Sequence, residues 1–385
     1  MERKWRDLIL RRLIKLALLI LIVYVGVQYI QHKFGTETIP NAIDYAKAEV
    51  NEQEAANFIE KFIEQSKQIF QDTQDILPDW DTGAETEQTK QAEKPELETP
   101  AHQTFSIYNI QMGDSKEAVE QELGKPQRTS MNEYGISWNT YHENYQNFVM
   151  VGFDSNKKVA ALYTNQDLIS STNGVKKGSS KDSVLKTLGN PLDELTKGFV
   201  RYKFPEDRDY EVFEMDGSYV TVFFDKHENN TVTAMQIVTT ELEEDRSDFY
   251  TDGSAQLEEG FEFQLFDLTN ASRVNNGLGV LTWEDNVKVT ARKHSEDMAK
   301  NNYFDHTNLD GESPFDRMLS DGIKYTMAGE NLAYGQYSSI FAHEGLMNSL
   351  GHRENILQEG FTYLGVGVAF NEKSQPYYTE NFITK

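Results

Sequence analysis

The stretch GDSKEAVEQELGKP, Gly113 to Pro126, returns as GSSKDSVLKTLGNP, Gly178 to Pro191, with half of the aligned positions identical. Such a duplication means that one small supersecondary unit is built twice. Ser115 and Ser180 are suited to cap a helix, and each is followed two residues on by an acid, Glu117 or Asp182. Val119 with Leu123, and Val184 with Leu188, form an apolar stripe on a short helix. Gly124 and Gly189 stop it, and Pro126 and Pro191 prevent its restart. After each helix comes strand-like text. NFVMVGFDSNKKVAALYT in the first copy answers SYVTVFFDKHENNTVTAMQIV in the second, and both predict a hairpin around an Asp/Asn-rich turn. Residues 106–245 are therefore expected to be a duplicated helix-plus-antiparallel-sheet domain. Its frequent aromatics, Trp138, Phe148 and Phe223 among them, are expected mostly in the core, with a few on an open sheet face available for docking. His142 and His227 stand alone and read as surface or hairpin-turn histidines.

The N-terminus is of a different kind. Arg3, Lys4, Arg6, Arg11 and Arg12 precede an apolar run. With Lys15 snorkelling, Leu13 to Ile30 is long enough to cross about 30 Å of hydrocarbon. Residues 1–12 are then a cytoplasmic basic tail, 13–30 an uncleaved transmembrane signal anchor, and the rest of the chain extracytoplasmic. The alternative is a cleaved signal peptide, but no small-residue cleavage site follows the run. Residues 31–105 read as a helical stalk and an acidic linker; Asp81 to Gln103 is too rich in Glu, Gln, Lys, Thr and Pro to build a core and is expected to be disordered. The formal net charge of −25 argues against nucleic acid as a partner. With no cysteine, disulfides, thiolate nucleophiles and Cys-ligated zinc are excluded.

The last unit, residues 261–385, alternates helix and strand text. Leu265, Leu268, Ala271 and Val274 mark one helix; Val287, Ala291, His294 and Met298 a second; SPFDRML a third with Pro314 in its first turn; and Ser338 to Asn348 a fourth. The second is expected to be capped by Thr282 or Asp285. GENLAYG reads as a loop, while FTYLGVGVAFN and PYYTENFIT read as a strand pair. Phe261 to Lys385 carries enough apolar text for its own core and is expected to fold alone, without metal. The class is α+β.

The motifs HSEDMA, YFDH, GENLA, MNSLGHRENIL, YLGVGVA and YYTENF, in this order over the last third of the chain, resemble the CAP superfamily. That superfamily includes cysteine-rich secretory proteins, insect venom antigens, plant pathogenesis-related proteins and many bacterial secreted proteins. The resemblance implies a C-terminal α-β-α sandwich. The duplicated unit before it resembles the CAP-associated N-terminal domain of membrane-anchored proteins in Gram-positive bacteria, and more loosely the duplicated modules of small envelope proteins and of the beta-lactamase inhibitor protein.

Eukaryotic members of the family build a cleft from two histidines and two glutamates, in some cases with a divalent ion such as zinc. By that resemblance His306 is the first histidine, Glu330 the first glutamate and His352 the second histidine. The second glutamate falls where this chain has Ser349, and the usual tryptophan where it has Leu346. Glu344 is near in sequence but on another side of the helix. The tetrad is incomplete. Asn331, Ser349 and Arg353 complete the set of cleft residues, and the glycines of GHREN and GENLA are expected to allow close approach there.

Three uses of this cleft stay open. Glu330, Asn331 and Arg353 can tie loops together, with the histidines satisfied in the same network. His306, His352 and Glu330 can hold a divalent metal. Or such a metal can assist hydrolysis of peptide or wall material. HEGLM at His343 is not a zinc-protease motif, because Met347 stands where a histidine is needed. Ser349 with His352 is not a nucleophile elbow. The incomplete tetrad favours a tethered binding or structural module of the cell envelope, whose ligand or protein partner the residues do not name; lipid binding is a weaker third reading.

Overall fold

Each copy of the repeated stretch starts its helix with a serine whose hydroxyl accepts from a backbone N–H: Ser115 Oγ from Ala118, at 3.2 Å, and Ser180 Oγ from Ser183, at 3.3 Å. Gly124 and Gly189 end the helices at φ 75° and 88°, which glycine adopts without strain. The computed structural model describes residues 92–197 and 200–385, all within the second of two units of the chain, Gln88–Lys385. The transmembrane anchor and the stalk expected from the sequence lie outside the described residues. Among the described residues, no helix is long and apolar enough to cross a membrane.

In chain order the first domain contains β1 (Phe105–Ile107), α1 (Lys116–Leu123), β2 (Arg128–Met131), β3 (Ser137–Glu143), β4 (Gln146–Phe153), β5 (Val159–Thr164) and β6 (Ile169–Ser171). It continues with α2 (Lys181–Leu188), β7 (Glu194–Lys197), β8 (Val200–Lys203), β9 (Tyr210–Met215), β10 (Ser218–Asp225), β11 (Thr231–Thr239) and α3 (Thr240–Asp245). Seven strands form one antiparallel sheet in the order β2-β3-β4-β5-β11-β10-β9. The last strands of the two copies, β5 and β11, therefore meet at its centre. Bridges from Ser115 to Lys158 and from Ser180 to Thr231 pin each helix to the hairpin of its own copy.

Strand alternation divides the sheet into two faces. Val149 and Val151 of β4 pack with Val119 and Val184 under the two helices. Phe148 and Met150 point the other way and pack with Leu268, Ala271, Ile340 and Phe341 of the second domain. The aromatic sheet face is thus a docking surface, and its occupant is the rest of the same chain.

The second domain contains α4 (Ala255–Asn275), β12 (Thr282–Trp283), α5 (Asp285–Asn301), α6 (Pro314–Ser320), β13 (Met327–Tyr334), α7 (Ser339–Asn348), α8 (Leu350–Ile356), β14 (Tyr363–Phe370) and β15 (Pro376–Thr384). A four-stranded sheet runs β12-β14-β15-β13. Leu364, Val366 and Val368 of β14 pack on α4 and α7 through Leu257, Phe261, Leu265, Ala342 and Leu346. Gly365 and Gly367 alternate with them and face α5. A Cβ there would lie 2.2 Å from Lys288 N and 2.0 Å from Arg292 N. The sheet therefore lies between two helical layers.

Four expectations need correction. GENLAYG is not a loop but part of β13, paired with β15 along its whole length. The helix at 285 has Glu284 at its N-cap, with no side-chain hydrogen bond. The second domain does not begin at Phe261: α4 starts at Ala255, and Gly260 packs so closely on Met131 that a Cβ would lie 2.1 Å from its carbonyl oxygen. A chain cut at 261 would lose buried Leu257 and uncover the face that meets the first domain. The end of the acidic linker, finally, is held against the first domain. Ala92 N donates to Gln146 Oε1 at 2.9 Å, Asn147 Nδ2 to Glu93 O at 2.9 Å, and Ser170 Oγ to Glu98 O at 2.7 Å.

Candidate functional site

Glu330 sits on β13 between a histidine and an arginine from other elements. The segment between α5 and α6 supplies His306, whose Nδ1 lies 2.9 Å from Glu330 Oε1. Helix α6 supplies Arg317, whose Nη2 donates to Glu330 Oε2 at 2.7 Å. The Glu330 side chain is almost wholly buried, whereas that of His306 is 51 % exposed. The carboxylate holds a proton on Nδ1 of His306, so in the neutral ring Nε2 is the acceptor and in the charged ring a second donor. Arg317 also donates through Nη1 to His306 O at 2.7 Å and to Glu312 O at 3.1 Å. One guanidinium thus fixes both the carboxylate and the loop that carries the histidine.

Helix α8 closes the other side. His352 Nδ1 lies 2.9 Å from Ser349 Oγ. Burial lowers the pKa of His352, and the charge of nearby His306 lowers it further, so both imidazoles belong to one electrostatic site. Behind them Asn331 Nδ2 donates to His352 O and to Glu380 Oε2, each at 3.1 Å. Asn355 Nδ2 donates to Asn331 Oδ1 at 2.9 Å and to Glu330 O at 3.2 Å. Thr269 Oγ1 donates to Glu380 Oε1 at 2.8 Å. Burial outweighs these bonds and pushes Glu380 up to about 7. Gly329 is where close approach is needed: a Cβ would lie 2.9 Å from Phe361 and 3.1 Å from Asn355 Oδ1. At Gly351 a Cβ would meet nothing within 4 Å, so that glycine is not explained by close approach.

The sequence-derived set therefore divides. His306, Glu330, Asn331, Ser349 and His352 share one network. Arg353 leaves it, donating to Asp225 Oδ2 of the first domain at 2.9 Å and to Met347 O at 3.2 Å. Glu344 is no replacement for the missing glutamate, because its Oε1 accepts from Tyr163 of the first domain at 2.6 Å. Sequence reasoning missed Arg317, Thr269 and Glu380. The signal for Arg317 was an arginine on the buried side of a short helix, beside Pro314 and Met318.

Zinc needs free lone pairs at about 2.0–2.2 Å. Both oxygens of Glu330 are engaged, one of them by a permanent cation, and Arg317 would stand against any metal bound there. Among the described residues, no group of three or more His, Cys, Asp or Glu is arranged to hold a metal ion. His306, Glu330 and His352 do not fit a three-ligand metal centre.

Comparison with known proteins follows the two-domain division. Residues 112–249 match the CAP-associated N-terminal family, and residues 266–382 match the Cysteine-rich secretory protein family. The uncharacterized membrane protein YlbC of Bacillus subtilis (strain 168) is 30 % identical over 292 residues, which is 71 % of this chain and 82 % of that protein. The uncharacterized protein YkwD of the same organism is 43 % identical over 125 residues, 32 % of this chain and 48 % of that one. Among solved structures, an extracellular protein containing a SCP domain from Bacillus anthracis str. Ames superposes with a TM-score of 0.62 at 26 % identity, covering 76 % of this chain and 99 % of its own. A cysteine-rich secretory protein from Staphylococcus aureus superposes at 0.59 with 16 % identity, covering 75 % of this chain and 95 % of its own, and shares the fold.

Proposed function

This chain belongs to the cysteine-rich secretory protein (CAP) family, with a CAP-associated N-terminal domain, and on that premise we propose that it is a membrane-associated, extracytoplasmic binding module of the cell envelope. One observation carries this reading: both oxygens of Glu330 are closed by His306 and Arg317. Each oxygen already accepts a hydrogen bond, and the permanent charge of Arg317 weakens the carboxylate both as a general base and as a metal ligand. A hydrolase acting on peptide or wall material through Glu330 is disfavoured for the same reason. What faces outward is an imidazole with apolar neighbours. Phe304 and Leu309 flank His306 in the chain, and Leu350 precedes His352; all three are exposed, Leu309 at 66 %. Isolated exposed apolar residues are ordinary, but several beside a preorganised polar cleft suit recognition of a partner. Anchoring through residues 13–30 would hold the cleft near the envelope and raise its effective concentration there.

The test is co-sedimentation of the full chain, in detergent, with purified cell-wall sacculi. Wild-type protein should pellet with the wall, and the His306→Ala/His352→Ala variant should lose at least about tenfold in affinity, or about 1.4 kcal/mol. Retention unchanged in the variant would remove the cleft from the binding function. Steady release of soluble fragments from dye-labelled wall, lost in the same variant, would turn the reading to hydrolysis.

A further inference from the structure

Arg353 and Glu344, which the cleft does not use, meet at a second place. A cavity of about 250 Å³ lies between the two domains. The first domain lines it with Asn165, Lys177 and Asp225, and the second with Ser272, Glu344 and Arg353. One pair of wall charges is already matched, and Glu228, also in the wall, is exposed. Arg353 pairs with Asp225, whose other oxygen accepts from His227 N. Asn165 Nδ2 donates to Ser272 Oγ, which also lies 2.7 Å from His343 Nε2.

Three groups are left incomplete: Asn165 Oδ1, which has no partner, and two charges of opposite sign, Glu344 and Lys177. Glu344 is 3 % exposed; Tyr163 serves its Oε1, and its Oε2 has no protein partner. Lys177 Nζ donates to Asn165 O at 2.6 Å, and the other two of its three donors have no partner in the protein. A carboxylate kept this far from water needs a donor, and an ammonium needs acceptors. Lys177 and Glu344 feel each other's charge across the cavity, but no hydrogen bond or close ion pair joins them. Two larger depressions, about 480 Å³ beside Asp321 and about 470 Å³ beside Asp154, have no buried charged side chain in their walls.

We propose that this interdomain cavity binds a free α-amino acid, its ammonium on Glu344 Oε2 and its carboxylate on Lys177 Nζ. The volume admits it: about 250 Å³ leaves room for a small amino acid with waters beside it. The position agrees as well. A ligand touching both walls binds the docked domains and not the separated ones, so it stabilises the docked form by mass action. The site is independent of the cleft of His306 and His352, and of any wall binding there.

The test is calorimetry of the full chain in detergent, with glycine, L-alanine, L-serine and L-lysine as titrants. n-Propylamine and propionate serve as the two half-ligands. At least one amino acid should bind with a Kd below about 1 mM, and each half-ligand at least about tenfold more weakly, since each engages one of the two charges. Glu344→Gln and Lys177→Met should each weaken that binding at least about tenfold. Lys177 is only partly buried, so its variant keeps the fold even if that of Glu344 does not. Absence of binding by all four amino acids would overturn the proposal, as would binding that both variants leave unchanged. Wall co-sedimentation of Lys177→Met should remain at the wild-type level; its loss would mean that this cavity, not the cleft, supports that function.

Discussion

A carboxylate buried as deeply as Glu330 is tolerable only with compensating charge, and Arg317 supplies it. Replacing Arg317 by Met keeps most of its bulk and removes that charge. Glu330 then retains one partner, a half-exposed histidine, and must lose its ionisation or its burial. The Arg317→Met variant should therefore lose about 3–5 kcal/mol of stability, read from the denaturant midpoint. The double variant Arg317→Met/Glu330→Gln should recover most of that loss, because no buried charge is left over. A single-variant loss below about 1 kcal/mol would mean that the pair is weak in the manner of surface ion pairs. This residue also shows where the sequence became silent. His306, Glu330 and His352 stand in short motifs with a readable order. Arg317 stands in none, and its role comes from folding α6 back over β13. Arg353 is the converse, a motif residue whose partner, Asp225, belongs to the other domain.

At the scale of elements, β14 shows how a strand is selected by what must lie against it. Its apolar residues alternate with Gly365 and Gly367 because α5 crosses that face at backbone distance. Gly367→Ala would place a methyl group 2.0 Å from Arg292 N and force the helix off the sheet. Overpacking of this kind costs about 1–3 kcal/mol, and rigid backbone on both sides puts this case at the upper end. Gly351→Ala, in α8, is the control: nothing lies within 4 Å, and alanine in a helix gains about 0.5–1 kcal/mol over glycine. Thermal unfolding should separate the two in opposite directions; a neutral Gly367→Ala would mean that α5 can retreat. Most helices and the β14–β15 pair were legible from periodicity. The strand β13 was not, because Gly329 and Gly335 punctuate GENLAYG as turns do. Its pairing with β15 is a tertiary fact that no local pattern contains.

The two described domains are held together by an interface that buries acids. Tyr163 and Glu344 meet across 181 residues of chain, and Asp267 of α4 accepts from Arg128 and Tyr145 of the first domain. No pattern along the chain could announce such pairs; only the aromatic face that they border was visible. Glu133, in the turn between β2 and β3, is another of these acids. Burial pushes it up to about 7, against the opposing charge of Arg246, beside the start of α7 at Ser338. Glu344 is raised to about 7 and Asp267 to about 6, in both cases chiefly by burial. Unfolded, these groups titrate near 4. The folded state therefore binds protons more tightly, so the stability tied to each acid is full below pH ~4 and is lost as pH rises towards 7. Neutral buried histidines act in the opposite sense, His343 among them, lowered by burial to about 3. A single pH curve would mix the two. Glu133→Gln isolates one acid, since glutamine fills the same space without a proton to lose. The Tm of Glu133→Gln minus that of the wild type should be near zero or negative at pH 4.5. It should rise through pH 7 and level off by about pH 8.5, when the wild-type acid is ionised in the interface. A difference independent of pH would mean that Glu133 keeps one protonation state throughout, with Arg246 rather than burial in control.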